Sequence, residues 1–341
     1  MGYLLIFLTT FALGQQKFDL LDFDVNLDEA PETRWKAVLS AKKDEILDMI
    51  HFVESLANYF ERKYIAHFLI SSNVFLPEYI KEMQGAAEIL QIDASTLILG
   101  NFVNEFYSRC TTIVAPNAQG EIVFARNLDY VFGAHIRELA VNIHFYRGGK
   151  LLYHSVGQAG FFGVTTGMRP GSYAVSLNQR DLNDNFVLWE MVGLVTGSQI
   201  SAFAIRFAFE HYSKYTQALN YLTSVPLIVG EYFIIGGTDE GAVLTRNRRY
   251  LSDLWELDEE NWYLLQTNYD HWLPQPSRDD RVTIPKKRMD DLGQENVNEV
   301  TLFNLLTIEP TFRPSTLISA VCNPTTGYWS AVSWKSFKET N

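Results

Sequence analysis

The sequence predicts a layered α+β protein, and three observations carry the prediction. Helical spacing dominates the first hundred residues. From Cys110 onward, short β-rich runs are separated by turn residues, and these runs come in blocks rather than alternating strictly with helices, which argues against a doubly wound parallel sheet. Composition permits such a fold, since 47% of the 341 residues are hydrophobic and 14% aromatic, enough for one large core or two modest ones.

Residues 1–14 carry no charge, include the apolar run Tyr3-Leu4-Leu5-Ile6-Phe7-Leu8, and place the small residues Ala12 and Gly14 as a cleavage site requires. The segment reads as a signal peptide, with a buried N-terminal helix as the alternative. It is too short to span a bilayer, and the predicted destination of the mature protein is lysosomal or secreted. No Asn-x-Ser/Thr acceptor is present, because Asn323 precedes Pro324. Between Ala41 and Tyr64, Ile46, Ile50, Val53, Leu56 and Phe60 recur at three- and four-residue steps, which predicts an amphipathic helix, and helical spacing continues to Leu97-Leu99.

Strands are then predicted at Thr111 to Ala115, Glu121 to Ala125, Leu139 to Tyr146, Leu151 to Val156, Tyr173 to Leu177, Glu231 to Ile235, Ala242 to Thr245 and Trp262 to Thr267. Two helices interrupt them, Phe186 to Val195 and Ile200 to Leu222. The polar stretch Pro274 to Gln294 reads as a long solvated loop leading into a helix.

Several chemistries lack their motifs. Lys and Arg number 28 against 40 Asp and Glu, a net charge of −12 that argues against a nucleic-acid partner. The seven histidines contain no H-E-x-x-H pair and the two cysteines no C-x-x-C, so no metal is predicted, and no phosphate loop or G-x-S-x-G elbow occurs. Gly157, Gly160 and Gly163 do not match a dinucleotide fingerprint and read as backbone lying close to a strand or a substrate.

Cys110 stands where the helical texture gives way to β. If the loop Pro116-Asn117-Ala118-Gln119-Gly120 closes a hairpin, Ala115 faces Glu121 and Arg126 faces Cys110 across the ladder, at roughly 5 Å between Cβ atoms. Asp129 could fold back to the same place from a turn at Arg126 to Tyr130. A nearby cation favours a thiolate over a thiol, so the three residues form a plausible nucleophile site. The alternative is a small buried hydrophobe at a strand edge. Cys322 has no basic neighbour in sequence and reads as an inert buried thiol.

The run Cys110-Thr-Thr-Ile-Val-Ala, then Gly120 and Arg126-Asn-Leu-Asp129-Tyr130, resembles the start of the catalytic subunit in the acid ceramidase and N-acylethanolamine-hydrolysing acid amidase family. Other landmarks fit in order: Asn26-Leu27-Asp28, Pro31, Arg34-Trp35, Gly236-Gly237, Thr245-Arg246-Asn247-Arg248, Gln266-Thr-Asn268-Tyr269-Asp270-His271-Trp272 and Asp279-Asp280-Arg281.

The resemblance implies an N-terminal nucleophile hydrolase with an αββα sandwich. Its precursor would cut itself between Arg109 and Cys110 into a helical α chain, residues 15–109, and a catalytic β chain, residues 110–341, that remain together as a heterodimer. The freed α-amino group, with a reference pKa of roughly 7.7–8.0, serves the thiol as base and later as acid. Carried over by motif, Arg126 and Asp129 position and polarise Cys110, Asn268 donates to the oxyanion, and Arg281 supports the site electrostatically. Asn178 is a second candidate donor. Glu190 is a candidate site carboxylate, and Tyr269 and Trp272 are candidates for lining the acyl pocket.

No cofactor is implied. The implied substrate is a fatty-acyl amide, collected through peripheral membrane contact by apolar helices, with Phe161-Phe162 and Val187-Leu188-Trp189 as channel candidates. The short segment after Asp129 and the wording Asn-Tyr-Asp-His-Trp favour N-acylethanolamines, with ceramide as runner-up. Two rivals from other classes are an uncut, inactive lipid-binding protein and a papain-type hydrolase with a distant histidine, such as His271, assisting Cys110.

Overall fold

The computed structural model describes residues 15–56, 58–103, 108–130, 136–180, 197–276 and 279–336. The signal-peptide segment, the helix predicted at Phe186 to Val195, Glu190 and the cluster Val187-Leu188-Trp189 lie outside them. Fourteen strands occur among the described residues: β1 Gln15–Asp19, β2 Leu21–Asn26, β3 Ser108–Pro116, β4 Ile122–Tyr130, β5 Ala140–Arg147, β6 Lys150–Gln158, β7 Thr166–Arg169, β8 Tyr173–Gln179, β9 Glu231–Gly236, β10 Gly241–Arg246, β11 Leu251–Glu256, β12 Leu264–Gln266, β13 Thr316–Asn323 and β14 Tyr328–Ser336.

They form a six-stranded sheet in the order β1-β14-β13-β4-β3-β12 and an eight-stranded sheet in the order β11-β10-β9-β8-β7-β6-β5-β2. Between the sheets, Val114, Ile122 and Phe124 pack on Met168, Ala174, Tyr232, Ile234 and Val243. Gly236 permits that approach, since a Cβ there would meet the Ile122 and Phe124 side chains at 3.0 Å. The N-terminal helices and Ser201–His211 with Tyr215–Ser224 cover the outer face of the larger sheet. Thr283–Leu292 and Glu299–Leu306 cover the smaller one through Met289, Leu302, Leu305 and Leu306. The result is the αββα sandwich of the N-terminal nucleophile hydrolases.

All eight predicted strands are present. The N-terminal region is less purely helical than its spacing predicts: β1 pairs with β14 and β2 with β5, so residues 15–26 join one edge of each sheet. The helix predicted from Ala41 to Tyr64 is two helices, Lys43–Leu56 and Tyr59–Ser71. The second starts at Asn58, whose side chain accepts from Phe60 and Glu61 N–H while Glu61 answers on the Asn58 N–H, a capping box that competes with continuation. The segment Ile200 to Leu222 is likewise divided, where Tyr212 and Lys214 adopt extended backbone. Thr283–Leu292 is a helix inside the stretch predicted as loop, its first turn held by Asp280 accepting from the Thr283 N–H at 2.9 Å.

Candidate active site

The site is assembled on the β3–β4 hairpin. Its loop is Asn117–Glu121 rather than Pro116–Gly120, because the Asn117 side chain accepts from the N–H groups of Gln119 and Glu121, each at 2.9 Å. Pro116 therefore pairs with Ile122, Cys110 with Leu128 and Thr112 with Arg126, a register two residues away from the predicted one. A two-residue slip preserves the face on which each side chain lies, so Arg126 shares the face of Cys110 but stands diagonal to it instead of directly opposite. Its Nη2 donates to Cys110 Sγ at 3.0 Å and to the Leu177 carbonyl at 2.7 Å, and its Nη1 donates to the Thr166 hydroxyl. Both side chains are buried between the sheets, and the thiol points at the Leu177 carbonyl, 3.6 Å away.

Asp129 does not fold back beside the sulfur, because Arg126 to Tyr130 is strand, not turn, and an odd separation puts Asp129 on the opposite face from Arg126. There it accepts from Thr316 at 2.7 Å and stands 3.6 Å from Arg281 Nη1. Burial pushes the Asp129 carboxyl above the usual carboxylate range, and Arg281 and the Thr316 hydroxyl offset only part of that. Asp129 thus reaches Cys110 through Arg281, whose Nη1 donates to the Cys110 carbonyl at 2.8 Å and whose Nη2 donates to Asn268 Oδ1 at 2.9 Å.

Asn268 follows β12. Its Oδ1 accepts the Cys110 N–H at 3.0 Å and its Nδ2 donates to the Gln179 carbonyl at 2.7 Å, so it holds the Cys110 backbone nitrogen. Asn178 is buried behind this layer, with Nδ2 given to the Gln266 and Thr267 carbonyls and Oδ1 accepting from Thr112. Tyr269 lies on the Arg109 side of the site, its hydroxyl accepting from Arg109 Nη1 at 2.9 Å. Trp272 is 47% exposed and touches His271 edge-on, away from these contacts. Glu190 is not among the described residues.

Asp279 is a candidate site residue that the sequence reading does not assign. Both of its oxygens accept from Arg281, at 2.7 and 2.8 Å, Arg313 also donates to it, and Arg109 Nη1 lies 3.7 Å away. Burial alone would push this carboxyl up, but the hydrogen bonds and charges of Arg281 and Arg313 hold it at about 2. Its signal was the motif Asp279-Asp280-Arg281, in which the acid two residues before a buried arginine is the natural counter-ion. Burial pushes the Cys322 thiol far above its ordinary range, consistent with an inert role. Among the described residues no histidine hydrogen-bonds Cys110, and His271 stacks on Trp255 at 4.2 Å, which disfavours the papain-type arrangement.

A cysteine in the inner layer of an αββα sandwich, gripped by one arginine at sulfur and another at its carbonyl, defines an amide hydrolase of the N-terminal nucleophile class. Comparison with known proteins narrows this. Residues 22–72 match the family model described as the beta subunit of N-acylethanolamine-hydrolyzing acid amidase. The chain is 32% identical over 308 residues to the N-acylethanolamine-hydrolyzing acid amidase of Rattus norvegicus, covering 88% of this chain and 84% of that one. It is 29% identical over 330 residues to the acid ceramidase of Bos taurus, covering 89% and 84%. The solved Caenorhabditis elegans N-acylethanolamine-hydrolyzing acid amidase ortholog superposes with a TM-score of 0.58 at 31% identity, covering 63% of this chain and 93% of that one. The chain belongs to the acid ceramidase and N-acylethanolamine-hydrolysing acid amidase family.

Proposed function

We propose that the protein hydrolyses N-acylethanolamines to a free fatty acid and ethanolamine, after cutting its own chain between Arg109 and Cys110. The observation that carries this reading is the setting of Cys110: sulfur on Arg126, carbonyl on Arg281 and backbone N–H on Asn268. Self-cleavage frees the nitrogen that Asn268 holds, and the new α-amino group takes the thiol proton as sulfur attacks the substrate carbonyl. The substrate C–N bond breaks, ethanolamine leaves with a proton from the amine, and water hydrolyses the thioester. Arg126 compensates charge at sulfur. Asn268, and Asn178 if it gives up a carbonyl partner, stabilises the oxyanion. The acyl-ethanolamine preference is supported by relatives bearing that name, and ceramide is the competing substrate.

The two products of the cut would remain together as a heterodimer. Buried Arg206 donates to Glu82 at 2.5 and 2.6 Å, and Arg34 donates to the same carboxylate at 3.2 Å, joining residues from both sides of the cleavage point. Among the described residues no helix is long and apolar enough to cross a membrane. Tyr59, Phe60 and Tyr64 are 50%, 81% and 73% exposed on one helix, a face suited to peripheral contact with a lipid surface. The proposed setting is a lysosomal or secretory compartment, reached through the signal peptide at residues 1–14.

The test is turnover at about pH 4.5–5, where Asp and Glu begin to titrate, of palmitoylethanolamide beside a short-chain ceramide, with Cys110→Ala as control. Release of palmitate from the ethanolamide by the parent and not by the variant is expected. Preferential release from ceramide would move the assignment to the runner-up, and turnover by Cys110→Ala would overturn it.

A further inference from the structure

We infer that the side chain of Arg109 is a positioning element for self-cleavage, clamped by Tyr269 and Asp279 so that the bond to be cut is fixed from both sides. The inference rests on the proposed cut before Cys110 and adds which contacts present that bond. Arg109 Nη1 donates to the Tyr269 hydroxyl at 2.9 Å and lies 3.7 Å from Asp279 Oδ2. On the other side of the peptide, the Cys110 N–H is bound to Asn268 Oδ1 at 3.0 Å.

The two halves of this clamp share their supports. Tyr269 directly follows Asn268 in sequence. Arg281 hydrogen-bonds both Asn268 and Asp279, so the group holding the scissile nitrogen and the group holding the preceding side chain move together. Asp279 is held at about 2, so it stays anionic at any pH at which the chain would mature, and a cation at position 109 remains attracted to it throughout.

In the step itself, the Cys110 sulfur bonds to the Arg109 carbonyl carbon, the C–N bond breaks, and the nitrogen takes a proton to leave a thioester. Water then releases the Arg109 carboxylate and returns the thiol. Attack needs the carbonyl held over the sulfur, and restricting the residue that carries it removes orientations that do not react. With 40% of the Arg109 side chain exposed, the clamp is worth about one charge-assisted bond, or roughly a tenfold effect on rate.

The test follows conversion of purified full-length precursor at about pH 5 by denaturing gel, for the parent and for Arg109→Ala, Arg109→Lys and Tyr269→Phe, with the melting midpoint of each precursor measured alongside. Arg109→Ala is expected to slow conversion about tenfold, Arg109→Lys less, and added methylguanidine at millimolar concentration is expected to restore the alanine variant while equal sodium chloride does not. Tyr269→Phe is expected to slow conversion two- to fivefold, as one of two partners is lost. Equal rates for parent and Arg109→Ala would overturn the inference. So would slow conversion of Arg109→Ala with a lowered melting midpoint and no response to methylguanidine, because that pattern marks a structural role. A parent that never converts, or a Cys110→Ala control that does, would instead overturn the self-cleavage reading itself.

Discussion

Replacing Arg126 with glutamine separates service to the sulfur from service to the fold. Arg126 is buried, and among the described residues its hydrogen bonds go to a sulfur, a backbone carbonyl and a hydroxyl, with no carboxylate. An interior cation without an anionic partner costs several kcal/mol, and of its three acceptors only the sulfur can carry a full negative charge, as a thiolate. Glutamine retains an amide that can satisfy the Leu177 carbonyl but loses the charge-assisted bond to sulfur, about 1.5–3 kcal/mol. That corresponds to a fall in kcat/KM of about 10- to 150-fold. The fold should lose little, because hydrogen bonds of about 1 kcal/mol each are offset by no longer desolvating a guanidinium. A shift of the melting midpoint of about 4 °C or less is expected. The assay compares kcat/KM on isolated, fully cut protein with the melting midpoint of the same sample. Activity within twofold of the parent would refute the reasoning, and so would a loss of activity matched by a large fall in the midpoint.

Three further outcomes follow from the packing and charges. Glu82→Gln removes the shared carboxylate of the buried Arg206 and Arg34 pair and should cost about 3–5 kcal/mol, seen as a fall in melting midpoint on the order of 10 °C; a fall under 2 °C would contradict the network's importance. Asp279 sits at about 2 in the folded chain against roughly 3.9 when unfolded, so its contribution is complete above pH 4 and disappears as pH falls toward 2. Asp279→Asn should therefore destabilise by about 2 kcal/mol at both pH 7 and pH 5, and the gap to the parent in denaturant unfolding should narrow below about pH 3. Gly163→Val should cost about 1–3 kcal/mol, because a Cβ there would meet Ala202 Cβ and the Phe161 ring at 2.8 Å; an unchanged unfolding midpoint would show that the contact yields freely.

How much of this was legible in the sequence depended on whether the signal was local. Cys110 and Arg126 belong to one hairpin, so turn chemistry brought them together, and an error of two residues in register did no harm because side chains alternate with period two. Asp129 was misplaced for the converse reason: three steps from Arg126 on a continuing strand is the other face. The Gly157-Gly160-Gly163 run lies against neither a strand nor a substrate: a Cβ at Gly157 would meet nothing, and the tight neighbours at Gly163 are Ala202 of the helix Ser201–His211 and the Phe161 ring.

Features set by distant partners were not readable. The central strand β13 is buried on both faces, so it lacks the alternation that marks a half-exposed strand, and β1 and β2 acquire strand character from partners more than a hundred residues away. The Arg109 contact with Tyr269 likewise spans 160 residues. Only Asp279 lay within reach of sequence reasoning and was overlooked, since its counter-ion stands two positions along.

The account turns on the chain end at which the chemistry occurs. Intact-mass measurement of protein recovered at peak activity, combined with sequencing of its new amino terminus, tests this directly. Two fragments are predicted, the larger starting with an unblocked Cys110, and Cys110→Ala should give one uncut, inactive species. Full activity in material whose backbone runs unbroken from Arg109 into Cys110 would contradict the account.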